Sequence, residues 1–236
     1  MFYDKANAGG KFETSINTGE EVDCARASLA LFFNCNEDEV VLGNNATTSI
    51  FQFSRAISRD WNSEDEVVVT KLDHFANVSP WVEAAKDKHC KVTSVGFNKA
   101  TGEYNLEDFE KAITHKTKIV AVNYACNAIG TINPIKEIIK IAHSYGAMVF
   151  VDAVHYAPHG LIDVQDLDCD FLVTSIYKYF GPHVSATFAK KEHLQNFSPY
   201  KVEPAVDKIP NKWETGTPDF SAISAIYSTI KYIISL

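Results

Sequence analysis

Apolar residues along this chain fall into two alternating kinds of segment. Near-continuous runs of strand length occur at 39–42, 66–70, 91–95, 117–122, 147–151, 171–174 and 184–189. Between most of them the apolar residues return with helical spacing, over 20–33, 48–58, 80–88, 106–113 and 134–144. Pro134 suits a first helical turn, where its missing N–H is not needed, and Gly146 suits the stop of the same helix. Strands that are apolar throughout, separated by helices, predict a mainly parallel sheet with helices on both faces, an α/β fold. Ligands bind such sheets beyond the carboxyl ends of the strands. Asp152 stands there, directly after the run Ala147 to Val151.

A second residue gives that carboxylate a partner. Lys178 lies in Thr174-Ser175-Ile176-Tyr177-Lys178-Tyr179-Phe180-Gly181-Pro182, where another apolar strand runs into Ser-x-x-Lys and Gly-Pro. A pyridoxal phosphate site needs both groups. A lysine amine forms the Schiff base with the cofactor aldehyde, and a carboxylate keeps the pyridine nitrogen protonated so that the ring can take up electrons.

At these residues the chain resembles the class V aminotransferases, which are pyridoxal phosphate enzymes of fold type I, and within them the cysteine desulfurase and selenocysteine lyase group. Asn44-Asn45-Ala46-Thr47-Thr48-Ser49 follows a strand and opens a helix, so its unpaired N–H groups form an anion site. The resemblance implies that Ala46 and Thr47 face the cofactor phosphate. Leu72-Asp73-His74-Phe75-Ala76-Asn77-Val78-Ser79-Pro80-Trp81 is similar to the group's Glu-His-x-Ala-Asn-x-x-Pro-Trp signature. By that match His74 stacks on the pyridine ring and relays protons, tasks that suit a flat imidazole titrating near neutrality.

The remaining motifs follow in family order. Asn123 to Pro134 resembles the turn in which an asparagine, here Asn127, bonds the phenolic oxygen of the cofactor. Val151-Asp152-Ala153-Val154-His155 corresponds to Val-Asp-Gly-Ala-Gln, so His155 replaces a glutamine whose bond to the same oxygen a ring nitrogen can make. Ser175 and Tyr177, before Lys178, are implied phosphate contacts. Trp213-Glu214-Thr215-Gly216-Thr217-Pro218-Asp219-Phe220 is similar to a segment whose threonine reaches the phosphate of the neighbouring subunit, so Thr217 implies a homodimer with shared sites. A weaker match reaches back to Asn7-Ala8-Gly9-Gly10.

Composition narrows the classes that remain. With 236 residues, 46% of them hydrophobic, residues 1–236 are expected to form one large domain. The net charge of −8, with no Lys/Arg cluster, argues against nucleic acid as a partner. No apolar run approaches the roughly 20 residues of a membrane helix, and Met1-Phe2-Tyr3-Asp4-Lys5 carries no signal-peptide core, so a soluble, cytoplasmic protein is expected. The five cysteines are scattered without Cys-x-x-Cys, which indicates neither a disulfide framework nor a zinc ribbon. The stretch 197–213, with Pro199, Pro204 and Pro210, reads as a long ordered loop.

The expected activity is therefore pyridoxal phosphate chemistry on a small amino acid, with catalytic Lys178 and His74. Relatives have a further N-terminal segment and a small C-terminal domain that carries a substrate arginine and a persulfide cysteine. The chain as given is expected to lack both regions and to show no appreciable desulfurase turnover. Two alternatives stand beside this reading. One is a non-catalytic scaffold of the same fold. The other is a metal-dependent hydrolase built on Asp152, His155 and His159, against which Pro158 interrupts any helix carrying the two histidines.

Overall fold

The computed structural model describes residues 7–236. Seven strands form one sheet: β1 (Val40–Gly43), β2 (Glu66–Thr70), β3 (Lys91–Val95), β4 (Thr117–Asn123), β5 (Met148–Asp152), β6 (Phe171–Ser175) and β7 (Ser185–Ala189). Their order is β1-β7-β6-β5-β4-β2-β3. Pairs β2/β3, β2/β4, β4/β5 and β5/β6 are parallel, while β7 runs antiparallel to both β6 and β1. That exception has a local cause. The connection from Ser175 to Ser185 is shorter than the dozen or more residues of a parallel crossover, so the chain must turn back.

The described helices are α1 (Glu13–Phe33), α2 (Ala46–Ile57), α3 (Ser79–Asp87), α4 (Leu106–Ala112), α5 (Ile135–Ser144), α6 (Val164–Leu167), α7 (Lys191–Asn196), α8 (Phe220–Ser224) and α9 (Ile226–Ile234). Alternation along the strands divides the core into two layers. Val68, Val120, Val122, Val149 and Val151 pack on one face with Leu29, Phe33, Ile138 and Ile230 from α1, α5 and α9. Val67, Val69, Ile119, Ala121 and Phe150 pack on the other with Ile50, Phe53 and Trp81 from α2 and α3. Both faces are therefore covered, which is why the strands read as unbroken apolar runs.

Several element ends differ from the pattern-based expectation. Helix α1 starts at Glu13 rather than at residue 20, because its first turns carry no apolar stripe and periodicity could not report them. Helix α2 begins at Ala46, capped by Asn45, whose Oδ1 accepts the Thr48 N–H at 2.9 Å. Pro134 sits just outside α5 as its N-cap, and Ile135, Ile138, Ile139 and Ala142 form the buried face. Gly146 ends that helix as expected: its φ of 80° permits the Ala147 N–H to reach the Ala142 carbonyl at 3.0 Å. At the end of β1, Gly43 is required by crowding, since a Cβ there would meet both Ser49 Oγ and Ser185 Oγ. Those two hydroxyls are bonded at 2.8 Å and join α2 to β7.

The stretch 197–213 is pinned at its end. Trp213 is fully buried, stacks on Phe53 at 4.4 Å and donates from Nε1 to the Leu194 carbonyl at 3.0 Å. Among the described residues, no helix is long and apolar enough to cross a membrane.

Candidate cofactor site

Four parallel strands deliver polar groups to one end of the sheet. Asp73 follows β2, and Asn123, Asp152 and Ser175 close β4, β5 and β6. They line a cleft of about 470 Å³ together with Ala46, Thr47, His74, Asn127, His155, Tyr177 and Lys178. Nine of the ten residues singled out in the sequence thus share one cavity. Thr217 does not: it is exposed, on the turn before α8. The long loop 197–213 contributes nothing to the lining.

Asp152 is buried, and its Oδ1 accepts the Val154 N–H at 2.8 Å. Burial pushes its carboxyl above the ordinary aspartate range, and the Val154 N–H and the nearby His74 only partly oppose this. A cation placed beside it would favour the ionised form. The His74 ring is oriented by its own turn: Nδ1 accepts the Ala76 N–H at 3.1 Å, so in the neutral ring the hydrogen resides on Nε2.

Lys178 projects from the single 3-10 turn Ile176–Tyr179, which β6 feeds directly into the cleft. Its Nζ lies 5.1 Å from the Tyr177 ring centre, and that ring stacks on His183 at 4.7 Å. His155 is held below the usual imidazole range by burial, then by the adjacent His159 and Lys178. Its ring is therefore neutral near neutral pH and able both to donate and to accept. At the start of α2, the Ala46 and Thr47 N–H groups have no partner within the helix and carry its positive dipole end.

This donor set fits pyridoxal phosphate. A helix N-terminus with Ser175 suits the phosphate, a buried carboxylate suits a protonated ring nitrogen, an imidazole suits the ring face, and an amine suits the aldehyde. Asn123 adds a buried Nδ2 without a hydrogen-bond partner at the cavity wall. Residues 2–236 match the protein family described as aminotransferase class-V.

The chain belongs to that family. Its members are pyridoxal phosphate-dependent enzymes, and several of the curated relatives it matches are cysteine desulfurases by name. A probable cysteine desulfurase of Halalkalibacterium halodurans is 34% identical over 223 residues, covering 89% of this chain and 55% of the relative. One from Staphylococcus epidermidis is 36% identical over 226 residues, covering 90% and 54%. Among solved structures, the apo cysteine desulfurase of Thermococcus onnurineus superposes with a TM-score of 0.92 at 26% identity, over 99% of this chain and 62% of that one. The chain thus spans little more than half the length of the relatives it matches. The fold is the large domain of fold type I.

The hydrolase alternative loses its geometric basis. Among the described residues, no group of three His, Cys, Asp or Glu side chains is placed to hold a metal ion. Three residues of the cleft, Asp73, Asn123 and His183, received no role from the sequence. For Asn123 a signal existed: it ends a strand on a polar residue, as Asp152 does.

Proposed function

We propose that this chain is the cofactor-binding domain of a pyridoxal phosphate enzyme acting on a small amino acid, nearest in kind to the cysteine desulfurases, with Lys178 as the covalent anchor. The observation that supports it most is the convergence of Lys178, Asp152 and His74 on one cleft at the carboxyl end of the sheet. When bound, the cofactor supplies an electron sink for charge developing at the amino-acid Cα.

The chain's own residues supply the rest. Ala46 and Thr47, with Ser175 and the Tyr177 hydroxyl, hold the phosphate, and Asn127 and His155 hydrogen-bond the phenolic oxygen. Asp152 holds a proton on the ring nitrogen, an ion pair strengthened by its burial. His74 covers one ring face and presents its Nε2 hydrogen to the reacting side. Lys178 would be the residue that anchors the cofactor aldehyde, and its free amine would be the group that takes or returns the α-proton of the amino acid. Thr217, on an exposed turn, is the group offered to the site of a second copy in a homodimer.

Borohydride reduction of the cofactor-loaded protein followed by peptide mapping tests the assignment. A pyridoxyl group on Lys178 is expected, and its absence from Lys178→Ala. A mutant that still yields a reduced pyridoxyl peptide places the anchor elsewhere.

A further inference from the structure

His183 enters the cleft from the loop between the 3-10 turn Ile176–Tyr179 and β7. That loop is tightly held. The Val184 N–H donates to the Pro182 carbonyl at 2.8 Å, a three-residue turn with His183 at its centre, and the Val184 carbonyl accepts the Ile176 N–H at 2.9 Å. Gly181 leaves no slack beside it, since a Cβ there would meet the Cγ2 atoms of Ile176 and Thr229. Two residues after His183, the Ser185 hydroxyl is bonded to that of Ser49 in α2 at 2.8 Å. The loop is thus fixed against the helix whose amino end opens on the cleft.

The His183 ring is exposed and lies parallel to that of Tyr177, with 4.7 Å between centres and 6° between planes. It borders two spaces. In the cleft it shares the lining with Asn45, Ala46 and Thr47, and in an adjoining cavity of about 250 Å³ with Asn44, Thr48 and Ser49. All six belong to the turn after β1 and the first turn of α2. One imidazole therefore adjoins both Tyr177 and the amino end of α2, the two parts of the chain assigned to the phosphate. Among the described residues, no hydrogen bond engages either of its ring nitrogens.

Charge gives this placement a consequence. A phosphate monoester carries roughly −1.5 to −2 near neutrality, and a helix amino end offers only about half a positive charge. No arginine lines the cleft. The side chains there that are able to become cationic are His74, His155, Lys178 and His183, opposed by Asp73 and Asp152. Lys178 is committed to the aldehyde. His155 is assigned to the phenolic oxygen and is held below the imidazole range by burial, while His74, whose Nδ1 accepts the Ala76 N–H, covers the ring face. The carboxylates of the adjoining cavity do not compete for His183, because Glu214 is gripped by Arg26 and Asp219 accepts the Ala222 N–H at 3.0 Å as the cap of α8.

We propose that His183 is a further cofactor-binding residue, donating a ring N–H to an oxygen of the cofactor phosphate beside Tyr177 and supplying positive charge that the rest of the subsite lacks. This rests on the reading that the cleft takes pyridoxal phosphate. The stack on Tyr177 occupies a face of the imidazole and leaves its edge, which carries both nitrogens, free to meet the anion. A charge-assisted bond of this kind favours the phosphorylated cofactor over free pyridoxal.

Absorbance titrations with pyridoxal phosphate and with pyridoxal, which lacks the phosphate, test this. His183→Phe keeps an aromatic ring for Tyr177 to stack on and removes the N–H. It is expected to weaken pyridoxal phosphate binding about tenfold or more, the scale of a hydrogen bond to a charged group, and to change pyridoxal binding by less than about twofold. The phosphorus NMR signal of the bound phosphate should shift in the same variant. A further measurement needs no variant: the ring signals of His183 should move when pyridoxal phosphate is added and stay in place with pyridoxal. Unchanged pyridoxal phosphate affinity in His183→Phe, an equal loss for both compounds, or an unmoved phosphorus signal would overturn the phosphate contact while leaving the cofactor site in place. A wild type that binds neither compound overturns the cofactor reading and this inference with it.

Discussion

Arg26 grips Glu214 through two hydrogen bonds, Nη1 to Oε1 at 2.8 Å and Nη2 to Oε2 at 3.1 Å. The pair joins α1 to the segment 188 positions further on that carries Thr217. The same Oε1 accepts the Leu42 N–H at 2.8 Å, so one carboxylate ties helix, strand and turn together. This gives Arg26 a structural task and takes it out of consideration as a substrate-binding arginine.

Arg26→Ala should therefore destabilise the fold by about 3–5 kcal/mol, the scale for leaving one partner of a buried pair uncompensated. Denaturant unfolding measures it. Replacing both residues with apolar ones should cost clearly less than the sum of the single changes. A double loss equal to the sum of the two single losses would mean that the two do not interact.

A second buried carboxylate governs stability against pH. Asp170 accepts His143 Nε2 and His193 Nε2 at 2.8 Å each, and the Val149 N–H at 2.8 Å. Burial raises its pKa, but these bonds win and hold the carboxyl well below the aspartate range. Stability from a depressed acid is present above its unfolded pKa and lost as pH falls. His143 is raised, first by its bond to Asp170, so its share is complete below the unfolded imidazole value and is lost as pH rises through the raised one. Unfolding free energy should decline on both sides of a mildly acidic to neutral plateau, and Asp170→Asn should flatten the profile. An unchanged profile in that variant would refute the network's role.

Asp152 and His74 should separate by magnitude. Asp152→Ala removes the counter-charge of a ring cation and should weaken pyridoxal phosphate binding tenfold or more, about 1.4 kcal/mol at least. His74→Ala removes a stacking contact worth about 1 kcal/mol and should cost about fivefold, with a shifted absorbance of the bound cofactor. Absorbance titration checks both, and the reverse ranking would exchange the two assignments.

Site sharing through Thr217 is open to subunit mixing. Lys178→Ala and Thr217→Ala proteins, each weak alone, should recover activity on exchange, because one site of each mixed dimer is then intact. Exchange verified by mass, with no gain in activity, would place Thr217 outside the neighbouring site.

Cys126 offers a final check on expected chemistry. It is 1% exposed, and its Sγ accepts the Ala128 N–H at 3.4 Å, so it has neither the access nor the mobility of a sulfur carrier. Thiol labelling of the native protein should leave it unmodified, and persulfide on Cys126 after incubation with cysteine would contradict the geometry.

Much of the site was legible along the chain because its chemistry is local. A strand that stops on Asp152, a strand that runs into Lys178, and a strand that opens a helix at Ala46 are each read from neighbouring residues, since burial imposes its period on every segment separately. The same periodicity reported both buried faces of the sheet. It said nothing about which strand lies beside which. Only the pairing of β4 with β5 set Asn123 beside Asp152, and only the short return into β7 made one strand antiparallel. The reach from Arg26 to Glu214 was equally silent, as polar residues at such separation carry no shared period. Pairing across long chain distances is decided by the closure of the whole sheet and its two packed layers, in which an isolated segment has no preference.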